Sequence, residues 1–174
     1  MQIINKQRFP TVNDTGIYGF FAEYRYLSNF HLAPVHLDGL VYPSSECAYM
    51  AQKTNDMDVR RQISEMKNPN DAKTFGRTIQ LIDDWDNLRV PAMRKVLIAK
   101  FKNPELREKL KATGKLYLEE TNNWQDKFWG ACYGKGENNL GKLLMEVRNS
   151  FACKPKFDLF ANYHKSKYHT SYIF

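Results

Sequence analysis

The sequence predicts a compact, single-domain α+β fold that is mainly helical, with minor β structure. The clearest helix signals lie in residues 103–114, where Asn103 can cap, Pro104 suits the first turn and Gly114 can end the helix. Residues 90–101 repeat apolar side chains at helical spacing. Strand-like stretches are short and do not alternate with the helices, so a βαβ fold is not predicted.

Two β elements are predicted near the start of the chain. Residues 15–24 combine glycines with β-prone aromatic side chains, which favours a short strand and a turn. Val35 and Leu37 precede an Asp38–Gly39 pair, and this pair is typical of the turn in a small hairpin.

Further helices are predicted after the hairpin. Residues 44–53 form a helix capped by Ser44 or Ser45, and residues 68–79 carry a proline in a first-turn position. A last helix is predicted over residues 138–151. The apolar stripes of the helices at 90–101 and 138–151 consist of Met93, Val96, Leu97 and Phe101, and of Leu140, Leu143, Leu144, Val147 and Phe151.

A strand is predicted over residues 115–121. Successive side chains of a strand point to opposite faces, so Leu116, Leu118 and Glu120 share one face. Glu120 faces the core if the leucines do. The alternative is that the strand ends first and Glu120 meets water.

The composition indicates which kinds of ligand the protein binds. The chain has 174 residues and a net charge of +7, which favours anionic partners such as nucleotides, phosphorylated metabolites or nucleic acid. The three cysteines have no regular spacing, so neither a disulfide framework nor a zinc site is predicted. The four histidines are scattered, and we expect no metal and no cofactor. The sequence leaves the oligomeric state open.

The composition also predicts a compartment. The first residues lack the apolar run of a secretory signal, and no stretch approaches the ~20 apolar residues of a membrane span. We therefore expect a cytoplasmic protein that has no membrane partner.

Glu46 and Lys53 form the first candidate pair for chemistry. They are seven residues apart on the predicted helix 44–53, which places them on one face and about 10 Å apart along the axis. Their side chains could bracket a sugar ring. Alternatively, the two charges only complement the helix dipole. The dipole lowers the pKa of Glu46 and burial raises it, and the sequence leaves the balance open.

A second candidate region spans residues 122–141. It holds Trp124, Asp126 and Trp129, followed by four glycines and by Asn138 before a helix. Backbone amides at glycines and a helix N-terminus can bind phosphate, although a tight aromatic turn explains the pattern equally well. No strand precedes these glycines and a third spaced glycine is missing, so a dinucleotide fingerprint is not predicted.

Three more residues could contribute to a site. Lys73 and Arg77 are four residues apart on the predicted helix 68–79, where they form either a phosphate grip or a solvated face. Trp85 stands among three aspartates and offers a flat surface for stacking.

Seven segments occur in an order that resembles the NADAR family, a group associated with NAD and ADP-ribose metabolism. The similarity covers roughly residues 18–150. The segments are 27–30, 37–53, 72–77, 83–101, 110–120, 126–130 and 136–148.

The resemblance implies an N-glycosidase without a cofactor, in a domain at residues 18–151. Residues 1–17 would be an N-terminal segment, and residues 152–174 a basic, aromatic extension packed on or next to the domain. The implied reaction cleaves a ribose C1–nitrogen bond. The substrate would be ADP-ribose on guanine, in a nucleotide or nucleic acid, or a phosphoribosylated intermediate of riboflavin synthesis. The alternative is a non-catalytic module that binds ADP-ribose or nucleic acid.

The resemblance also implies site residues. The catalytic residues would be Glu46, Lys53 and Asp126, with Glu46 as proton shuttle and Lys53 as a Schiff-base nucleophile, or with direct attack by water. The family often has His after the helix glutamate, where this chain has Cys47. The implied substrate-binding residues are Asn29, Phe30, Lys73, Arg77, Trp85, Glu120, Trp129, Gly130 and Asn138.

Overall fold

A computed structural model describes residues 10–152, and this part of the chain has the predicted α+β fold. Short strands and helices are mixed along the sequence. The strands are β1 (Thr11–Val12), β2 (Gly16–Tyr18), β3 (Leu32–Leu37), β4 (Leu40–Ser44), β5 (Tyr117–Glu119), β6 (Thr121–Asn122) and β7 (Ala131–Cys132). The helices are α1 (Ser45–Ala51), α2 (Met57–Ser64), α3 (Pro69–Phe75), α4 (Trp85–Lys100), α5 (Pro104–Ala112) and α6 (Asn139–Ala152), with a 3-10 helix at Ala22–Leu27.

The predicted hairpin is confirmed. Strands β3 and β4 pair antiparallel, with Leu37 opposite Leu40. Asp38 and Gly39 have φ values of 52° and 79°, and a two-residue turn with both values positive matches the twist of the strands. The inward face of β3 is buried at Val35 and Leu37 and packs towards α4.

A three-stranded sheet places residues 16–18 beside the strand that precedes Glu120. Strand β2 lies between β1 and β5, antiparallel to β1 and parallel to β5. Residues 11–12 and 16–17, which were predicted to lie in an N-terminal segment, belong to this sheet. Leu118 of β5 is fully buried.

Helix α1 begins as predicted and ends early. The Ser44 hydroxyl accepts a hydrogen bond from the Cys47 amide, so Ser44 is the N-cap. Gln52 is the C-cap, and the prediction that Lys53 lies inside this helix was wrong. Helix α3 likewise stops before Gly76, so Arg77 is outside the helix that carries Lys73.

The ends of α1 and α3 lie against each other. A Cβ atom at Gly76 would collide with the side chain of Met50, because the end of α3 packs directly on α1. Beyond both helix ends, Lys53 Nζ donates to the Gly76 carbonyl at 2.9 Å. Lys53 lies in irregular chain just after α1, and Arg77 lies in irregular chain just after α3.

The remaining helices agree largely with the prediction. Helix α4 starts at Trp85, upstream of the predicted start, and its stripe is buried at Met93, Val96, Leu97 and Phe101. The Asn103 side chain caps α5 by accepting from the Leu106 amide. Helix α2 was missed, although Asp56 caps it through the amides of Asp58 and Val59.

In residues 10–152, no helix combines the length and the apolar character needed to cross a membrane. The expected extension 152–174 lies outside the described residues, apart from Ala152 at the end of α6.

Candidate active site

A cavity of about 580 Å³ brings together side chains from five regions of the chain. These regions are the 21–30 segment, α1 with Lys53, α3 with Arg77, residues 85–93 of α4, and the 120–129 segment, and Leu140 of α6 adds one further side chain. Ten of the twelve predicted site residues line this cavity. They are Asn29, Phe30, Glu46, Lys53, Lys73, Arg77, Trp85, Glu120, Asp126 and Trp129.

Glu46 lies in the first turn of α1 and is only 6% exposed. Its backbone N–H donates to the Asn29 carbonyl at 2.9 Å. None of the described residues donates a hydrogen bond to its carboxylate. Burial raises the pKa of Glu46 to about 7, with Lys73 and Lys53 opposing the shift and Asp126 adding to it. Burial is the largest contribution to the shift, and the group can take up and release a proton near neutral pH.

The raised pKa predicts how stability depends on pH. Between the ordinary pKa of 4.5 and about 7, the folded state holds the Glu46 proton more tightly than the unfolded state does. This stabilising contribution is fully present below pH 4.5 and is lost as the pH rises through 7. Because Gln cannot ionise, we expect Glu46→Gln to unfold with about 3 kcal/mol more free energy than the parent at pH 8. The two proteins should converge near pH 4.

Urea denaturation at several pH values measures this difference. The matched control is Glu65→Gln, since Glu65 is exposed at the end of α2. A constant difference between parent and Glu46→Gln from pH 4 to 8 would contradict the raised pKa.

Lys53 is half-buried in the same cavity, and its Nζ donates to the Gly76 carbonyl at 2.9 Å. Burial lowers the pKa of Lys53. Glu46 opposes this shift, while Arg77 and Lys73 reinforce it. A lysine amine is a nucleophile only when it is deprotonated, so a lowered pKa suits covalent chemistry.

The wall near Lys53 is cationic. Lys73 Nζ lies 5.3 Å from the centre of the Phe30 ring, and Arg77 follows the end of α3. With Lys53, these side chains provide three positive groups at one side of the cavity. Such a cluster can bind a phosphate group.

An aromatic cluster forms another wall. Tyr49 lies between Trp85 and Trp129, with ring centres 5.5 and 5.4 Å away. Trp129 also meets the edge of Phe128 at 4.9 Å. These rings offer faces on which a nucleobase can stack.

Asp126 and Glu120 add two carboxylates. Asp126 Oδ1 accepts the backbone N–H groups of Phe128 and Trp129, at 3.2 and 2.9 Å, and so fixes the turn that carries Trp129. Burial raises the pKa of Glu120 to about 7. Asp126 adds to that shift, and Arg25, Lys100 and Lys73 oppose it. Strand β5 is shorter than the predicted 115–121 and ends at Glu119, yet Glu120 lines the cavity, and its Oε2 is buried with no hydrogen-bond partner among the described residues.

Gly130 and Asn138 do not line the cavity. The Asn138 side chain accepts from the Glu120 amide and donates to the Leu118 carbonyl, so it holds the chain behind the site. A Cβ atom at Gly130 would collide with the Glu120 carbonyl, which explains the glycine by packing. The amides of Ala131 and of residues 137–140 already donate to backbone carbonyls, so these five groups are not free to bind phosphate.

Sequence reasoning missed part of the lining. Arg25 comes from the 3-10 helix and Arg89 from the start of α4, and no spacing pattern connects either residue to the others. Tyr49 could have been found, because it follows Glu46 by three residues on one helix face. The other lining residues that were not predicted are Phe21, Ser28, Met50, Asn70, Met93, Trp124 and Leu140.

Cys47, where the family often has His, is buried away from the cavity. Its thiol donates towards the Met66 carbonyl at 3.5 Å and accepts from the Ser44 hydroxyl at 3.2 Å. The departure therefore changes packing between α1 and the end of α2 rather than the cavity lining. Within residues 10–152, no three His, Cys, Asp or Glu residues are grouped so that they could hold a metal ion.

Comparison with known proteins shows to which family the chain belongs. The NADAR domain model matches residues 14–152 of the chain. The chain belongs to the NADAR family. The N-glycosidase YbiA of Escherichia coli is 38% identical over 157 residues, which cover 86% of this chain and 97% of YbiA. The N-glycosidase Npun_R5314 of Nostoc punctiforme is 36% identical, over 75% of this chain and 88% of that protein.

Another relative of this NADAR chain is named as a riboflavin biosynthesis protein. The riboflavin biosynthesis protein VVA0006 of Vibrio vulnificus is 35% identical over 71% of this chain, which spans 34% of that longer protein. The NMR structure of E. coli YbiA is similar in fold, with a TM-score of 0.71 and 37% identity over 84% of this chain and 90% of YbiA. The chain is thus a NADAR enzyme that hydrolyses N-glycosyl bonds.

Proposed function

We propose that this enzyme hydrolyses a ribose C1–nitrogen bond with Glu46 as proton shuttle and Lys53 as nucleophile. The observation that carries the proposal is the pairing in one cavity of a half-buried lysine with a buried carboxylate that accepts no hydrogen bond from residues 10–152. Their pKa values move towards neutrality from opposite sides, to about 7 for Glu46 and downward for Lys53. Opposite shifts of this kind are typical of acid–base and nucleophilic pairs.

Glu46 assists cleavage of the bond between C1 and the base nitrogen. Cleavage of a ribosyl C–N bond develops positive charge at C1 and at the ring oxygen, as in glycoside hydrolysis. An ionised Glu46 stabilises that charge, and a protonated Glu46 donates a proton to an oxygen or nitrogen that gains electrons. A pKa of about 7 gives both forms at neutral pH.

Lys53 provides the covalent route. An N-linked ribose opens when its ring oxygen takes a proton, which leaves an imine between C1 and the base nitrogen. The Lys53 amine adds to C1, the base nitrogen leaves as a protonated amine, and C1 is then joined to Nζ as a Schiff base. Water adds to this Schiff base, the C1–Nζ bond breaks, and free ribose and the Lys53 amine result. Direct attack of water on C1, with Glu46 as base, is the alternative route.

The cavity walls suit the two ends of such a substrate. Lys73 and Arg77, beside Lys53, hold a phosphate group of the ribosyl moiety. Trp85 and Trp129 take the base by stacking. Asn29, Phe30 and Glu120 complete the proposed binding site, and Asp126 assists chemistry by holding the Trp129 turn and by favouring the protonated form of Glu46.

Two substrate types fit this description. One is ADP-ribose attached to guanine in a nucleotide or nucleic acid. The other is a phosphoribosylated intermediate of riboflavin synthesis, in line with the name of the V. vulnificus relative. Both are phosphorylated N-ribosides and both suit a chain with a net charge of +7.

A direct comparison of substrates tests the proposal. We expect the protein to release ribose phosphate or ADP-ribose from one of the two types at least about a hundredfold faster than Glu46→Gln does. Chromatography of the released base and sugar measures both products. ADP-ribose binding without release from either substrate would contradict the proposal and favour the non-catalytic module.

The reaction is expected in the cytoplasm. Cys47 and Cys132 are buried free thiols in the described part of the chain, which suits a reducing compartment.

A further inference from the structure

Lys100 is a buried charge that the proposed reaction does not use. It is the last residue of α4 and has no exposed surface. Burial lowers the pKa of Lys100 to about 7, with Glu120 opposing the shift and Arg25 adding to it. An ammonium group inside a protein is unfavourable unless it is compensated, so its presence beside a cavity needs an explanation.

The hydrogen bond of Lys100 points to the explanation. Its Nζ donates to the Ser28 carbonyl at 2.9 Å and lies 5.3 Å from the centre of the Phe101 ring. Ser28 belongs to the turn after the 3-10 helix, and that turn forms part of the cavity wall. Lys100 itself does not line the cavity.

The same turn is bonded to the helix that carries the catalytic carboxylate. The residue after Ser28 is Asn29, whose carbonyl accepts the Glu46 N–H at 2.9 Å. The Asn29 side chain also donates towards Met93 Sδ at 3.4 Å. The turn is therefore held between α4, through Lys100 and Met93, and the first turn of α1, through Glu46.

We propose that Lys100 is a positioning residue, which fixes the Ser28–Asn29 turn and through it the first turn of α1 and the Glu46 carboxylate. The proposal rests on the proposed role of Glu46. A neutral side chain of the same length would fill the space but would release the Ser28 carbonyl, which within residues 10–152 would keep only a longer bond of 3.3 Å from the His31 amide. A small displacement of a catalytic group lowers the rate more than it lowers substrate binding.

Lys100→Met tests this role, because methionine keeps the length and removes both the charge and the donor. We expect kcat to fall at least about tenfold and any rise in KM to be smaller, because the turn orients Glu46 and supplies only part of the cavity wall. Exchange of the Glu46 amide with solvent should accelerate at least about tenfold, while the amide of Leu97 in the middle of α4 keeps its rate. The matched control is Lys102→Met, since Lys102 is exposed two residues later.

Lys100→Gln is the second variant, because an amide can still donate to a carbonyl without carrying a charge. We expect it to retain more kcat than Lys100→Met. Parental kcat together with parental exchange of the Glu46 amide would overturn the proposal. So would failure of both variants to fold, or equal acceleration at Leu97, because Lys100 would then be a general structural residue. If the parent cleaves neither substrate, the proposed function fails, and exchange of the Glu46 amide still decides the positioning role.

Discussion

Glu46→Gln lowers kcat at least about a hundredfold and leaves the fold intact, because it removes the proton shuttle while preserving the shape of the side chain. Glu46 is 6% exposed and its pKa is about 7, so its charge and proton act in a largely buried position. Steady-state kinetics and a thermal melt of the same preparation measure the two effects. We expect the melting temperature at pH 8 to equal or exceed that of the parent.

The melt separates catalysis from folding. Loss of turnover with a lowered melting temperature would point to damage in α1, where every residue is buried. Turnover close to that of the parent would exclude Glu46 as the proton shuttle. Glu65→Gln on the exposed end of α2 again serves as the control for the chemical change.

Lys53→Arg abolishes turnover if Lys53 is the nucleophile. A guanidinium stays protonated at every accessible pH and cannot form the imine at C1, although it keeps the positive charge. Borohydride added during turnover should reduce the Schiff base in the parent and leave a stable ribosyl adduct on Lys53. Mass spectrometry of the digested protein locates the adduct.

The result distinguishes three roles for Lys53. An inactive variant without an adduct in the parent would make Lys53 an electrostatic or positioning group and favour direct attack by water. A fully active variant would show that Lys53 is not required. Lys67→Arg is a matched control, because Lys67 is an exposed lysine that lies between α2 and α3.

Local signals in the sequence predicted much of the fold. The Asp38–Gly39 turn and the Asn103 cap depend on neighbouring residues alone, and both occur as predicted. The ends of α1 and α3 could not be predicted in this way. They lie beside a contact between Met50 and Gly76, which are distant in sequence and meet only in the folded domain.

The same distinction between local signals and tertiary contacts applies to the candidate site. The segments that resemble the family contain the ten predicted residues that line the cavity. Arg25 and Arg89 were missed because only tertiary packing brings them to the cavity. The pKa of Glu46 was left open because it depends on burial, which the position of a residue on one helix does not reveal.

The cavity is lined by residues from distant parts of the chain, so enzymatic activity reports on the folding of the whole domain. Residues from Phe21 to Leu140 contribute to one cavity, and no contiguous fragment contains both Glu46 and Asp126 without most of the domain between them. Catalysis is therefore a property of the cooperative native state. Activity and far-ultraviolet circular dichroism should be lost in one transition as denaturant increases, which makes turnover a sensitive probe of global unfolding for this family member.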